Sequence, residues 1–267
     1  MGADPLRLGG LPPAAGRPVV PSVWAMTRLD TPAPPAAEAS GARRSRVGWT
    51  AVLLLAVAIT AYAVMPYLLV SLPALAEAGQ GLAGAYAERP VVVQAIFFVH
   101  IVAGAVALLL GPLQFWRGLR ARRPRVHRWI GRAYLAGAAV GGLAGLALAP
   151  FSQAGWVGLF GFGALALLWL LTGWRAYRAI RQGDVASHQA WMIRNFALTF
   201  AAVTLRIWLP LMITAPLLTG APFDFESAFA NAYAAVPFLC WLPNLVVAEW
   251  LIRRRGLPSY RVSRSIG

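Results

Sequence analysis

Val91-Val-Val-Gln-Ala-Ile-Phe-Phe-Val-His-Ile-Val-Ala-Gly-Ala-Val-Ala-Leu-Leu-Leu-Gly-Pro-Leu113 runs, after Gln-Phe-Trp116, straight into Arg117-Gly-Leu-Arg-Ala-Arg-Arg-Pro-Arg-Val-His-Arg-Trp-Ile-Gly-Arg132. The first part is apolar for long enough to cross the ~30 Å hydrocarbon layer as a helix, which takes about 20 residues. The second part sets Arg117, Arg120, Arg122, Arg123, Arg125, Arg128 and Arg132 directly behind it. A second apolar run then begins at Trp129. An apolar span, a short arginine-rich turn and a returning span describe a helical hairpin in a membrane.

Working outward, six segments have this character: Trp49–Leu72, Val91–Leu113, Trp129–Pro150, Trp156–Trp174, Ala190–Leu218 and Phe229–Ile252. Only helices with internally satisfied backbones can do this, because lipid offers no partner to a free N–H or C=O. Arginines recur at every second connection: Arg43, Arg44 and Arg46 before the first span, Arg175, Arg178, Arg181 and Arg194 between the fourth and fifth, Arg253, Arg254, Arg255, Arg261 and Arg264 after the sixth. The alternate loops hold only Arg89, with Glu77, Glu88, Asp224 and Glu226. By the positive-inside rule both termini are cytoplasmic, and Trp49, Trp116, Trp129, Trp174, Trp191 and Trp250 line the same edge as an interfacial belt. The reading is an all-α, polytopic membrane protein with a bundle of six transmembrane helices.

Composition agrees. Of 267 residues, 59% are apolar and 12% charged, with a mean hydropathy of +0.62, against about 45–50% and about 25% in soluble domains. All 24 basic residues are arginine, and nine acids leave a net charge of +15. So little aqueous surface excludes a nucleic-acid site. The partners expected are the lipid bilayer and anionic lipid headgroups at the arginine-rich inner face, each charge being worth ~1 kcal/mol near such a surface. Three histidines and the single Cys240 exclude an intramolecular disulfide and a zinc site rich in Cys and His.

Residues 1–42 hold eight of the 20 prolines and show no apolar periodicity, which predicts a disordered tail. Residues 43–255 form the transmembrane domain and 256–267 a short basic tail. Met26 is a second candidate start. Ala74-Leu75-Ala76 imitates a signal-peptide cleavage site, but the apolar run before it exceeds the 7–15 residues, roughly, of such a peptide.

Four features are not explained by span and loop. Gly137, Gly141 and Gly145 share one face of the third span, where small residues let a neighbouring helix approach. Arg206 lies within the fifth span, costly unless it pairs with Asp224 or Glu226 or meets an anionic ligand; Pro210 is the clear interruption of that span. His100 falls in the middle of the second. His127 and His188 open the third and fifth spans at similar depth, where facing histidines can serve as axial ligands to haem iron. Asp184 either caps the helix carrying His188 or orients its ring. Arg123 and Arg128 beside His127 disfavour its charged form.

The strings His127-Arg-Trp-Ile-Gly-Arg-Ala-Tyr134, Gly183-Asp-Val-Ala-Ser-His-Gln-Ala-Trp-Met-Ile-Arg194 and Ala197-Leu-Thr-Phe-Ala-Ala-Val-Thr-Leu-Arg206 resemble a family of bacterial membrane proteins, domain-of-unknown-function family 2306, over roughly Trp49 to Arg255. That resemblance implies the architecture and no activity; His100, His127, His188 and Arg206 fall at its expected polar positions. A looser resemblance is to six-span b-type cytochromes, which hold an inner haem between the third and fifth helices. There His127 and His188 fit, while the fourth span lacks the histidine an outer haem needs. The functional expectation is a haem-binding (haem b) or quinone-linked redox protein, with His100 and Arg206 lining a second polar site for a quinone or an anion. The alternatives are a small-molecule transporter using His100 and Arg206, and an assembly protein without cofactor. Whether the protein is an enzyme stays open.

Overall fold

A computed structural model describes residues 35–80, 82–220 and 223–259, which form helices and short connections with no strand among them. In order they are α1 (Pro35–Leu69), the short α2 (Leu72–Glu77) and α3 (Ala83–Tyr86), α4 (Val91–Gln114), the short α5 (Arg117–Arg122), α6 (Pro124–Leu148), α7 (Gly155–Arg181), α8 (Val185–Thr199), α9 (Ala201–Thr214), α10 (Phe225–Leu239) and α11 (Leu242–Arg254). Among the described residues six stretches are long and apolar enough to cross a membrane: Arg46–Leu69, Val91–Gln114, Pro124–Phe151, Gly155–Arg181, Val185–Leu218 and Phe225–Arg254. These are the six expected spans, most of them starting a few residues earlier. By their contacts residues 1–44 and 45–267 separate into two units, and all six spans belong to the second. α1 begins at Pro35, inside the tail expected to be unstructured to residue 42; proline suits a first helical turn and Ala36, Ala37 and Ala39 favour helix. Residues 1–34 and 260–267, with Met26, lie outside the described residues.

The core is narrow and central, as lipid demands, since apolar side chains gain nothing by hiding from lipid tails. Ala107, Tyr134, Ala138, Trp169, Ala176, Met192, Leu198, Val236, Cys240 and Trp241 form its main cluster, while Val91, Leu143, Phe160 and Val246 point outward, exposed. α6 packs closely on α4 through its glycine face. A Cβ at Gly137 would lie 3.0 Å from the Ala103 carbonyl oxygen, and one at Gly145 would press on the His100 ring at 2.9 Å. Between α7 and α10 the approach is tighter: a Cβ at Gly161 would come within 2.5 Å of the Pro237 Cβ.

Two expectations need correction. The fifth span is not interrupted at Pro210, since α9 stays helical through it; it is interrupted at Phe200, between α8 and α9. Side chains attend the interruption: Thr199 Oγ1 donates to the Asn195 carbonyl at 3.0 Å and Asn244 Nδ2 to the Ala197 carbonyl at 3.2 Å. The sixth span is interrupted too, at Cys240–Trp241, where the Trp241 indole donates to the Pro237 carbonyl at 2.7 Å. Thr204 Oγ1 and Asn244 Nδ2 both donate to the Cys240 carbonyl, so the two interruptions are bonded to each other. The second correction is Arg194. It does not flank a loop but is 3% exposed, held by the Glu249 carboxylate through both Nε and Nη2.

Candidate functional site

The centre of the bundle is polar and fully bonded. Tyr134 on α6 donates its hydroxyl to Asn195 Oδ1 on α8 at 2.6 Å and lies 2.9 Å from Thr199 Oγ1. From α7, the Trp169 indole donates to Thr199 Oγ1 at 2.9 Å. Asn195 Nδ2 donates to the Trp169 carbonyl at 2.8 Å and to Thr172 Oγ1 at 2.9 Å. Tyr134 and Asn195 are completely buried. Each donor reaches an acceptor, which is what makes such a network tolerable away from water.

The histidine layer lies two helical turns, about 10 Å, toward the arginine-rich end of the same helices. His127 and His188 stand 61 residues apart, the separation of the bonded pair Tyr134 and Asn195, and each precedes its counterpart by seven. The third and fifth spans run in the same direction, and a shift of seven residues returns nearly to the same helix face. The two histidines therefore fall at the same level of α6 and α8, within electrostatic reach of each other. α7, which gives Thr172 to the upper layer, gives the Ala176 carbonyl to this one: His188 Nδ1 donates to it at 2.9 Å. That bond fixes the proton on Nδ1 and leaves the Nε2 lone pair available.

His127 differs. Its Nδ1 is buried and has no hydrogen-bond partner, and Arg120 and Arg128 lie within electrostatic reach. Gln114, at the end of α4, lies over Gly131, one turn beyond His127 on the same face: a Cβ there would be 3.0 Å from Gln114 Oε1. Gln114 is 8% exposed, and its Nε2 is likewise buried without a partner. Among the described residues three buried side-chain polar atoms lack a partner, and two of them converge here. Asp184 serves as the N-cap of α8, its Oδ1 accepting from the Ser187 N–H at 2.9 Å, so at Nδ1 the His188 ring is oriented by a carbonyl.

His100 and Arg206 lie toward the opposite end. His100 Nδ1 donates to the Gly141 carbonyl at 2.8 Å, which gives the glycine stripe a second use as the seat of an imidazole. Arg206 Nη1 donates to the Ala202 carbonyl of its own helix at 2.8 Å. Neither Asp224 nor Glu226 pairs with it: the ion pair among the described residues is Arg194–Glu249.

Sequence reasoning missed Gln114, Asn195 and the Arg194–Glu249 pair. Glu249, an acid inside the sixth apolar span, was the available signal, because a buried carboxylate requires a cation from another helix. At the membrane edge the expected belt is present: Arg132, Arg178 and Arg254 sit over the rings of Trp129, Trp174 and Trp250 at 5.0, 5.0 and 5.1 Å.

Six apolar spans around a polar centre define a multi-pass membrane protein. The family described as Predicted membrane protein (DUF2306) matches residues 97–252, more than half of the chain, and the chain belongs to that family. The match starts within the second span, so the first lies outside it. The chain matches no curated protein and no solved structure.

Proposed function

We propose that this protein is a haem-binding redox protein of the bacterial inner membrane, with haem iron held between His127 and His188. The observation that carries the reading is a buried, unpartnered His127 Nδ1 at the same level as a His188 whose Nδ1 is already tied to the Ala176 carbonyl. An imidazole fixed at one nitrogen by a carbonyl is how proteins present the other to a metal. The donor set also argues for haem over a bare ion. Among the described residues no group of three or more His, Cys, Asp or Glu side chains could hold a metal, and two histidines suffice only where a macrocycle fills the equatorial positions. A bound haem would supply one-electron transfer. In this reading Gln114 Nε2 offers a buried donor beside the group, and Asp184 starts the helix that carries His188. The arginine-rich end faces the cytoplasm and its anionic lipid headgroups.

A second reading, small-molecule transport, draws on the joined interruptions of the fifth and sixth spans. Transporters place substrates at such breaks, and Arg206 lies two residues beyond Thr204. One experiment separates the readings. The full chain is purified in detergent from haem-replete cells and its visible spectrum recorded oxidised and reduced. The haem reading expects a Soret band and reduced α and β bands, with haem content at least ~10-fold lower in His127→Ala and His188→Ala. A folded, colourless wild-type protein would refute it and leave transport.

A further inference from the structure

The third buried polar atom without a partner is Thr60 Oγ1, on α1, far from the histidine layer. Ala56, Thr60 and Ala63 share one face of α1, and Ala56 packs with Leu108 of α4 and Val203 of α9. The first and fifth spans run in the same direction. One turn beyond Ala56 is Thr60, and one turn beyond Val203 is Arg206, whose guanidinium folds back to the Ala202 carbonyl, so the two side chains start from neighbouring levels of α1 and α9. α4 runs the other way, and two turns back from Leu108 it supplies His100. Arg206 is within electrostatic reach of His100 and of the more buried Tyr67 and Tyr233.

The charge of this cluster is one-sided. The guanidinium carries several donors, all charged, and the hydroxyls add one each, while His100, its Nδ1 bonded to Gly141, offers a neutral acceptor but no counter-charge. Arg206 uses Nη1 on its own helix and has no carboxylate among the described residues. Asp224, the nearest acid in sequence outside the span, accepts from the Ser227 N–H at 2.9 Å as the cap of α10. An arginine held in a span without a counter-charge is costly, and a ligand bringing a negative charge and several acceptors removes that cost. The Tyr67 hydroxyl already accepts from the Leu82 N–H at 2.8 Å, which ties the connection between α2 and α3 to this end of the bundle.

We propose that Arg206, Thr60 and the tyrosines around them form a binding site for an oxyanion, a carboxylate or phosphate group, with Arg206 as its charge partner. The group arrives either free from water or as the head of an amphiphile. Neither source involves the histidine layer, so the site stands or falls apart from the haem reading.

The test is thermal unfolding of the full chain in phosphatidylcholine nanodiscs, titrated separately with inorganic phosphate, acetate and oleate, and repeated with phosphatidylglycerol in the disc. A ligand that binds only the folded protein raises Tm with its concentration. The expected result is a saturable rise for at least one of these oxyanions, with the midpoint raised at least ~10-fold in Arg206→Gln and several-fold in Thr60→Val. A response to phosphate or acetate identifies a free anion; one confined to oleate or phosphatidylglycerol identifies an amphiphile. Should Arg206→Gln fail to fold, Thr60→Val, which exchanges a hydroxyl for a methyl, carries the comparison. No rise with any of the four in wild type, or an unchanged midpoint in the variants that fold, would overturn the proposal.

Discussion

Two layers built on the same three helices make the most informative comparison in the molecule. In one, Tyr134, Asn195, Thr199, Trp169 and Thr172 bond to one another until no donor is left over. In the other, two turns away, His188 is bonded on one side while His127 keeps a buried atom without a partner, as does Gln114, which α4 adds one turn nearer over Gly131. The helices, their spacing and the 61-residue separation are shared. What differs is satisfaction. A closed polar network fixes which helix faces meet, and its worth is structural. An open one costs stability unless something completes it, and the proposed haem would complete this one.

The comparison can be broken from the structural side first. One residue from Asn195, Arg194 is the charged member of the satisfied set. Glu249→Ala removes the carboxylate bonded to both its nitrogens and is expected to cost about 3 kcal/mol, the largest stability loss of the group, read as a lower melting temperature in detergent. Asn195→Leu strips the centre of the closed layer, removing the 2.6 Å acceptor of Tyr134 and the donor to Thr172 and the Trp169 carbonyl; about 1–2 kcal/mol is expected, measured in the same way. If Asn195→Leu melted like wild type, the closed layer would not be structural.

His127→Ala is the matching change in the open layer. It removes an unsatisfied buried atom, so in ligand-free protein it is expected to shift stability by less than about 0.5 kcal/mol, or to raise it. A loss as large as that of Asn195→Leu would erase the contrast. The smallest effect lies outside both layers. The Ser227 side chain and backbone N–H hold the exposed Asp224 carboxyl below its ordinary pKa. Its capping contribution is present above the unfolded-state pKa and fades as pH falls through the lower folded-state value. Melts of wild type and Asp224→Asn should therefore differ slightly at neutral pH and converge in acid; a gap that widened in acid would contradict the cap.

Much of this was legible in the sequence. The arginine-punctuated apolar runs and Asp184 as a cap follow from local chemistry, and the glycine stripe from spacing along one helix. His127 and His188 were legible only as lying at similar depth; the register that sets them at the same level comes from Tyr134 and Asn195, whose contact spans helices. The interruption at Phe200 has no proline to announce it, since side chains of Thr199 and Asn244 take part in it. Arg194 was misread because an arginine near a span edge has the same letter whether it meets headgroups or Glu249.

The most direct measurement is the reduced-minus-oxidised visible difference spectrum of wild type, His188→Ala and Asn195→Leu, purified side by side from haem-replete cells. Haem bands are expected in wild type and in folded Asn195→Leu, with a lowered melting temperature in the latter, and none in a His188→Ala protein that still unfolds cooperatively, at a lower temperature than haem-loaded wild type. Bands that survive in His188→Ala, or a folded wild-type protein without bands, would contradict haem ligation in the open layer.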